Sequence, residues 1–310
     1  MSKVLVVFGA TGQQGGSVAN YVINDPVLSK EFKVRGVTRD ASKPAAQDLK
    51  QKGIEVVEAD MDNIESLKKA VQGAHTVFAI TSSIHDENLK KREIAQGKAM
   101  ADAAVSQGAQ HIIFSTLPHA GRMSNNKYTK VDHFDGKAEV EDYIRTLPIK
   151  SAFFIPGFFM QNFKSIIAPQ PNGDGTYTLS NVVSPKTELP LIDIVHDAGK
   201  FIGAILADPE KYEGKVLTSA TKVYTFEEIV NIMSKATGKT VNYKQIPERE
   251  YRVFLPPSAA EELIQMFLFY QDFGFNGPKT RELVGQTAEI AHGKLTTFEE
   301  FVVNEPFELK

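Results

Sequence analysis

Val4-Leu5-Val6-Val7-Phe8-Gly9-Ala10-Thr11-Gly12-Gln13-Gln14-Gly15-Gly16-Ser17-Val18 opens the chain with a short apolar run, a loop with glycine at every third position, and the start of a helix. Five consecutive apolar residues read as a strand covered on both faces, which is how strands of a parallel sheet are placed. Between that strand and a helix each glycine has its own use. Gly9 permits a tight turn, Gly12 lets the backbone come close to a phosphate, and Gly15 lets the helix pack closely on the strand. Outward from this stretch, strand-length apolar segments recur at 33–37, 54–58, 75–80, 111–115 and 150–155. Helix-length segments lie between them near 15–22, 64–71, 87–106 and 136–145. The alternation predicts an α/β fold: a doubly wound parallel sheet of Rossmann type, built from right-handed crossovers.

After Pro156 the alternation stops, and Pro, Gly and Asn cluster in 168–175. A smaller α+β unit is expected beyond that point, with helices near 194–206, 226–235, 259–269 and 298–303 and a strand near 215–219. The predicted division is 1–156 as the Rossmann domain, completed by parts of 193–222, with 157–192 and 223–310 as the smaller C-terminal domain. Three capping boxes mark helix starts: Asp62-Asn63-Ile64-Glu65 with Asp62 as N-cap, Thr225-Phe226-Glu227-Glu228, and Thr297-Phe298-Glu299-Glu300.

Composition narrows the classes. The 310 residues are 42% hydrophobic and 24% charged, enough for a large buried core and short of any run that would span a bilayer. A net charge of −3 without a basic tail carries no footprint of direct nucleic-acid binding. The absence of cysteine excludes disulfides and thiolate metal sites within the sequence. Met1-Ser2-Lys3 runs straight into a strand with no signal-peptide organisation, so a cytoplasmic location is expected, with the nucleus also open to such a chain. A monomer or a homodimer is expected.

A glycine loop between strand and helix is a seat for a pyrophosphate, because helix N-terminal N–H groups face the anion. Gly9, Ala10, Thr11, Gly12, Gln13, Gln14 and Gly15 are the candidate residues. NAD sites place an acid after the second strand to accept hydrogen bonds from the ribose. Here Val37-Thr38-Arg39-Asp40 puts an arginine there. Arg39 suits the adenosine 2′-phosphate of NADP(H), in a charge-assisted contact of about 1.5–3 kcal/mol. Lys43 offers a second positive charge or is simply solvated, and Asp40, if it pointed at the ribose, would weaken the preference for NADP(H). Asp62 and Asn63 lie where adenine is met, and Thr81, Ser82 and Ser83 where the phosphates and nicotinamide ribose would run.

Short-chain dehydrogenases use a serine after the fifth strand and Tyr-x-x-x-Lys on the next helix. Ser115 is suitably placed, but none of the nine tyrosines has a lysine four residues later. His133-Phe134-Asp135-Gly136-Lys137 stands where the tyrosine and lysine belong. Lys137 can hold the nicotinamide ribose. His133 is read first as a helix-start or packing residue and second as a general acid. Tyr128 reaches the site only if the loop 118–132 folds back over it. No histidine pair has the spacing of a helical zinc site, so no metal is expected.

With Pro156-Gly157-Phe158-Phe159-Met160-Gln161-Asn162 added, these stretches resemble the NmrA-like family of atypical short-chain dehydrogenases, its redox-sensor branch included, over nearly the whole chain. The resemblance implies an NADP-binding Rossmann domain with a smaller C-terminal domain, and a nicotinamide end approached by Lys137 and by Phe158, Phe159, Gln161 and Asn162. It implies weak or absent dehydrogenase activity, a sensing of NADPH/NADP balance, and regulatory protein partners such as transcription factors. The sequence reading therefore favours an NADP(H)-binding regulator over an enzyme. The alternative is an NADPH-dependent oxidoreductase acting on a small carbonyl, quinone or imine through Lys137, aided by His133 or Tyr128. Among the aromatics, Phe153 and Phe154 are expected at a domain interface. Phe267, Phe269, Tyr270, Phe273 and Phe275 are expected to cover the cleft or form a partner site.

Overall fold

The computed structural model describes residues 2–305 and Leu309, so the outer ends of the two expected domains, Met1, 306–308 and Lys310, lie outside the described residues. Six parallel strands, β1 (Lys3–Phe8), β2 (Phe32–Thr38), β3 (Glu55–Glu58), β4 (Thr76–Ala79), β5 (His111–Ser115) and β6 (Lys150–Pro156), lie side by side in the order β6-β5-β4-β1-β2-β3. The strand Val216–Ser219 adds a seventh beside β6, pairing in parallel with 153–156. Strand order reverses between β1 and β4, and that reversal opens a crevice at the carboxyl ends of the strands.

Both faces of the sheet are covered, which explains the unbroken apolar run in β1, where Leu5, Val6, Val7 and Phe8 have no exposed surface. The helices Gln13–Asn24 and Ile194–Ala207 cover one face, in contact close enough that a Cβ on Gly199 would stand 2.3 Å from that of Tyr21. Leu89–Ser106 and Asp132–Ile144 pack together on the other, with Gly97 against Val140. Phe153 and Phe154 do not sit at a domain interface. Successive residues of a strand face opposite ways, so Phe153 fills one helix–sheet layer and Phe154 the other, against Phe201.

Beyond β6 the chain builds two three-stranded sheets, one of Lys222–Thr225, Glu188–Ile192 and Phe158–Phe159, the other of Val241–Gln245, Tyr177–Asn181 and Gln170–Pro171. The helices Phe226–Thr237, Ala260–Phe273 and Phe298–Asn304 share an aromatic-rich core with them. Among the described residues no helix is long and apolar enough to cross a membrane.

The capping boxes at Thr225 and Thr297 both form. The one expected at Asp62 does not. Asn63 is the N-cap of Ile64–Val71, its Oδ1 accepting from the N–H groups of Glu65 and Ser66, each at 3.1 Å. A turn closed by Asn63 N–H on the Asp60 carbonyl moves the helix start on by one residue and releases Asp62 for another partner. The helix expected at 136 begins at Asp132, with Asp132 and Asp135 in its first turn, where the helix dipole favours carboxylates. His133 and Lys137 thereby fall one turn apart on the same helix face.

Candidate functional site

The crevice between β1 and β4 is a cleft of about 460 Å³. Its floor is the glycine loop. Gly9 has a φ of 65°, a left-handed conformation that side chains resist, and Gly12 N–H closes the turn on the Gly9 carbonyl at 2.8 Å. A Cβ on Gly15 would lie 2.3 Å from the Gly9 carbonyl oxygen, so only glycine lets the helix begin this close to the strand. No side chain caps the N-terminus of Gln13–Asn24, which leaves its first N–H groups to an anion. Thr11, Gly12, Gln13, Gln14 and Gly15 line the cleft with Gly9. Ala10 does not: it is 1% exposed and packs inward against Gly36.

Arg39 and Lys43 line the edge beyond β2. Asp40 is turned back on its own loop, where its Oδ1 accepts from Ser42 Oγ at 2.5 Å and Ser42 N–H at 2.9 Å, and these bonds hold its carboxyl below the usual range. Asp40 also lines the cleft, but one of its two carboxylate oxygens is committed to Ser42. Further along, Gln96 Nε2 donates to Asp62 Oδ1 at 3.0 Å, while the buried Gln96 Oε1 has no partner among the described residues and can accept from an adenine amino group. Asn63 is spent on its helix cap and does not line the cleft. Thr81 and Ser82 do. The cradle at Gly15, the cations after β2 and the orphaned acceptor at Gln96 fit a dinucleotide with a phosphate on its adenosine ribose.

At the opposite end lies a charged pair that sequence reading missed. Lys137 Nζ donates to Glu93 Oε2 at 2.5 Å and to Ser83 Oγ at 2.9 Å. Glu93 has no exposed surface and also accepts from Thr81 Oγ1 at 3.0 Å and Ser83 Oγ at 2.5 Å. Ser115 Oγ donates to Gln14 Oε1 at 2.8 Å, which fixes Gln14 between the two ends of the site. Nothing near Glu93 in the sequence marks it, since its partner stands 44 positions away.

A second cavity, of about 260 Å³, continues from the cleft and shares Gln14, Ile80, Thr81 and Phe159 with it. Phe158, Phe267, Met266 and Tyr270 give it apolar walls, and Asn162 also lines it. Gln161 points elsewhere, donating to Asp193 Oδ1 at 2.7 Å. Of the second aromatic group, Phe267, Tyr270 and Phe275 do cover this cavity. Phe269 and Phe273 instead enclose Tyr128, whose hydroxyl donates to Asp272 Oδ2 at 2.6 Å. Tyr128 does not line the cavity and is set aside as a proton donor, because the loop 118–132 packs onto the helix Ala260–Phe273 instead of folding over the site.

His133 lines the cavity, and so does His85, which follows β4. His133 Nδ1 donates to Glu262 Oε1 at 2.5 Å, His133 N–H to the same oxygen at 2.8 Å, and His85 Nδ1 to Glu262 Oε2 at 2.6 Å. Burial alone would raise the Glu262 carboxyl, but the hydrogen bonds from His133 and His85 outweigh it and hold it well below the usual range. An ionised carboxylate only accepts, so both rings carry their proton at Nδ1. The bond to Glu262 raises the His85 pKa against the opposing effect of burial. His85 had a positional signal at the carboxyl edge of the fourth strand. Glu262, 129 positions from His133, had none.

Taken together, sheet, glycine cradle and cleft define a Rossmann-type dinucleotide-binding protein with an adjoining apolar chamber. The chain belongs to the NmrA-like family, whose family model matches residues 1–302. An NmrA-like family domain-containing protein of Dictyostelium discoideum is 33% identical over 313 residues, covering 97% of each chain. The NmrA-like family domain-containing oxidoreductase FrzB of Cladobotryum sp is 30% identical over 321 residues, covering 95% of this chain and 94% of that one. Among solved structures, NmrA, a negative transcriptional regulator, in complex with NADP, superposes with a TM-score of 0.82 at 24% identity, covering 99% of this chain and 95% of that one. The Citrobacter sp. triphenylmethane reductase complexed with NADP(H) superposes with a TM-score of 0.78 at 21% identity, covering 98% and 99%. These two likenesses establish the fold.

Proposed function

We propose that this protein is an NADPH-dependent reductase of a small, flat, mostly apolar acceptor bearing a carbonyl, quinone or imine group. The observation that carries the reading is the second cavity: a chamber of about 260 Å³ that opens off the nicotinamide end of the cleft and holds ionisable side chains against apolar walls. An acceptor there would lie against the nicotinamide ring, in the contact that hydride transfer needs. NADPH, when bound, supplies the hydride. Arg39 and Lys43 would hold its 2′-phosphate, and the first turn of Gln13–Asn24 its pyrophosphate. Lys137 is tied to the buried Glu93, so it serves as a fixed positive charge that orients the ribose and does not act as the acid expected of it. Phe158, Phe159 and Phe267 would exclude water from the transfer. Relatives named as oxidoreductases support the same reading.

A second reading makes cofactor occupancy a signal to a protein partner such as a transcription factor. It draws on the helix Ala260–Phe273, where Glu262 and Asp272 grip His85, His133, Lys127 and Tyr128 of the Rossmann unit, so that movement beside the cofactor would reach the smaller unit. The test is calorimetric titration with NADPH, NADP⁺, NADH and NAD⁺, followed by the absorbance of reduced nicotinamide with a panel of quinones, aromatic aldehydes and imines. Turnover that depends on NADPH supports the reductase. Tight NADP(H) binding with no turnover across the panel overturns it in favour of the second reading.

A further inference from the structure

The geometry points to His85 as the catalytic acid, the group that delivers a proton to the oxygen or nitrogen of the acceptor while hydride arrives on the adjacent carbon. The inference rests on the reductase reading and names the residue that does the work of the missing tyrosine.

Three side chains with nitrogen-borne protons to offer line the chamber: Lys137, His133 and His85. Lys137 is committed elsewhere, to Glu93 and Ser83. Its ammonium is the counter-charge of Glu93, which has no exposed surface, and loss of that proton would strand a buried carboxylate. The two histidines share one carboxylate, with ring centroids 5.7 Å apart, so a single positive charge on the pair is balanced by Glu262 and a second would be repelled. With each Nδ1 committed to Glu262, Nε2 is the position at which either ring gains or loses a proton.

Surroundings separate the two rings. His133 is wedged edge-on against Phe134 at 4.8 Å, its backbone N–H also binds Glu262, and its side chain is only 13% exposed. His85 sits on the segment after β4 with its side chain 31% exposed, so it reaches both the chamber and the solvent that must reload it. The charges facing it are Glu262 and Glu93, which favour its cationic form, and Lys137, which opposes it. Asp132, which faces Glu262 from the helix Asp132–Ile144, is itself shifted upward by burial and then by that carboxylate. The hydrogen bond to Glu262 therefore favours the protonated His85 ring against its burial.

The step balances. The acceptor carbon gains a C–H bond from hydride, and the π pair of its C=O or C=N bond moves to the heteroatom. The His85 Nε2–H bond breaks as the O–H or N–H bond forms. His85 is left neutral and still bonded to the Glu262 carboxylate, and solvent restores its proton. The acceptor is reduced by two electrons and NADPH, the reductant, is oxidised.

The experiment compares wild type, His85→Gln, His133→Gln and Glu262→Gln by NADPH affinity, by kcat and kcat/KM against pH on the best acceptor of the panel, and by NMR titration of the histidine rings in the cofactor-free protein. His85→Gln is expected to keep NADPH affinity while kcat falls by roughly 100-fold or more, the scale of a lost general acid. Wild-type kcat/KM should fall as pH rises through a value above that of an ordinary histidine, with the same midpoint in the His85 ring titration. That break should vanish in His85→Gln, move to lower pH in Glu262→Gln and persist in His133→Gln. An active wild type whose rate and pH profile survive His85→Gln, or whose break is removed by His133→Gln, overturns the assignment and leaves the reductase standing. A wild type that reduces no acceptor overturns both, and the ring titration then reports only the ion cluster.

Discussion

Replacing Gly15 by alanine puts a methyl group into the narrowest gap of the cofactor cradle. The new Cβ would stand 2.3 Å from the Gly9 carbonyl oxygen, 2.5 Å from the Gly9 carbonyl carbon and 2.7 Å from the Phe8 carbonyl oxygen, whereas ordinary contact begins near 3.4 Å. All three neighbours are backbone in a buried strand and a tight turn, so none can swing aside. The helix Gln13–Asn24 must therefore retreat from the loop by roughly 1 Å. Overpacking of this kind costs about 1–3 kcal/mol of stability. The same displacement pulls the first-turn N–H groups off the pyrophosphate, and losing one charge-assisted contact of about 1.5–3 kcal/mol weakens binding about ten- to hundredfold. Thermal unfolding and NADPH calorimetry read the two effects separately. Gly285→Ala is the matched control: it lies in the helix Thr280–Ala288, an added Cβ meets nothing within 4 Å, and a stabilisation of about 0.5–1 kcal/mol with unchanged cofactor binding is expected. Wild-type NADPH affinity in Gly15→Ala would refute the placement of the pyrophosphate on this loop.

Three further outcomes are expected. Arg39→Ala should weaken NADPH binding by about ten- to hundredfold, with NADH binding nearly unchanged, so equal losses for both cofactors would remove Arg39 from the 2′-phosphate site. Glu93→Gln should destabilise the fold by about 3–5 kcal/mol in denaturant unfolding, because the Lys137 charge is left buried without its counter-ion, and Lys137→Met in that background should restore much of the stability but not the cofactor affinity. The His85–Glu262 contact should make stability depend on pH. A pKa raised in the folded state means that the contribution of His85 is complete below the ordinary histidine value and is lost as pH rises through the folded one, while the lowered Glu262 keeps its share until pH falls far into the acid range. Unfolding free energy should thus decline as pH rises above the ordinary histidine value, and the decline should flatten in Glu262→Gln. An identical slope in both proteins would contradict the assignment.

The Rossmann unit was largely legible before any coordinates because its signals are local. The glycine spacing of 9, 12 and 15, the apolar run before it and the arginine at 39 each act through neighbours in sequence, and each sits where it was expected. The N-cap falls one residue later, at Asn63, because the turn closed on the Asp60 carbonyl sets the helix start there, and Asp62, so released, accepts from Gln96. Phe153 and Phe154 were misread because a strand in a parallel sheet has two buried faces, and sequence cannot say what covers each.

Chemistry at the nicotinamide end was a different matter. The sequence showed that the usual tyrosine is missing and pointed to Lys137, but the state of Lys137 depends on Glu93, and the roles of His85 and His133 depend on Glu262, residues brought together only by packing. Short-range patterns specify backbone conformation and the phosphate cradle, since those arise from a few adjacent dihedrals and N–H groups. The surroundings of a side chain that could give up a proton follow from burial and from charges delivered by distant segments, and those came together only when the helices Leu89–Ser106 and Ala260–Phe273 packed against the segments that carry Lys137, His85 and His133.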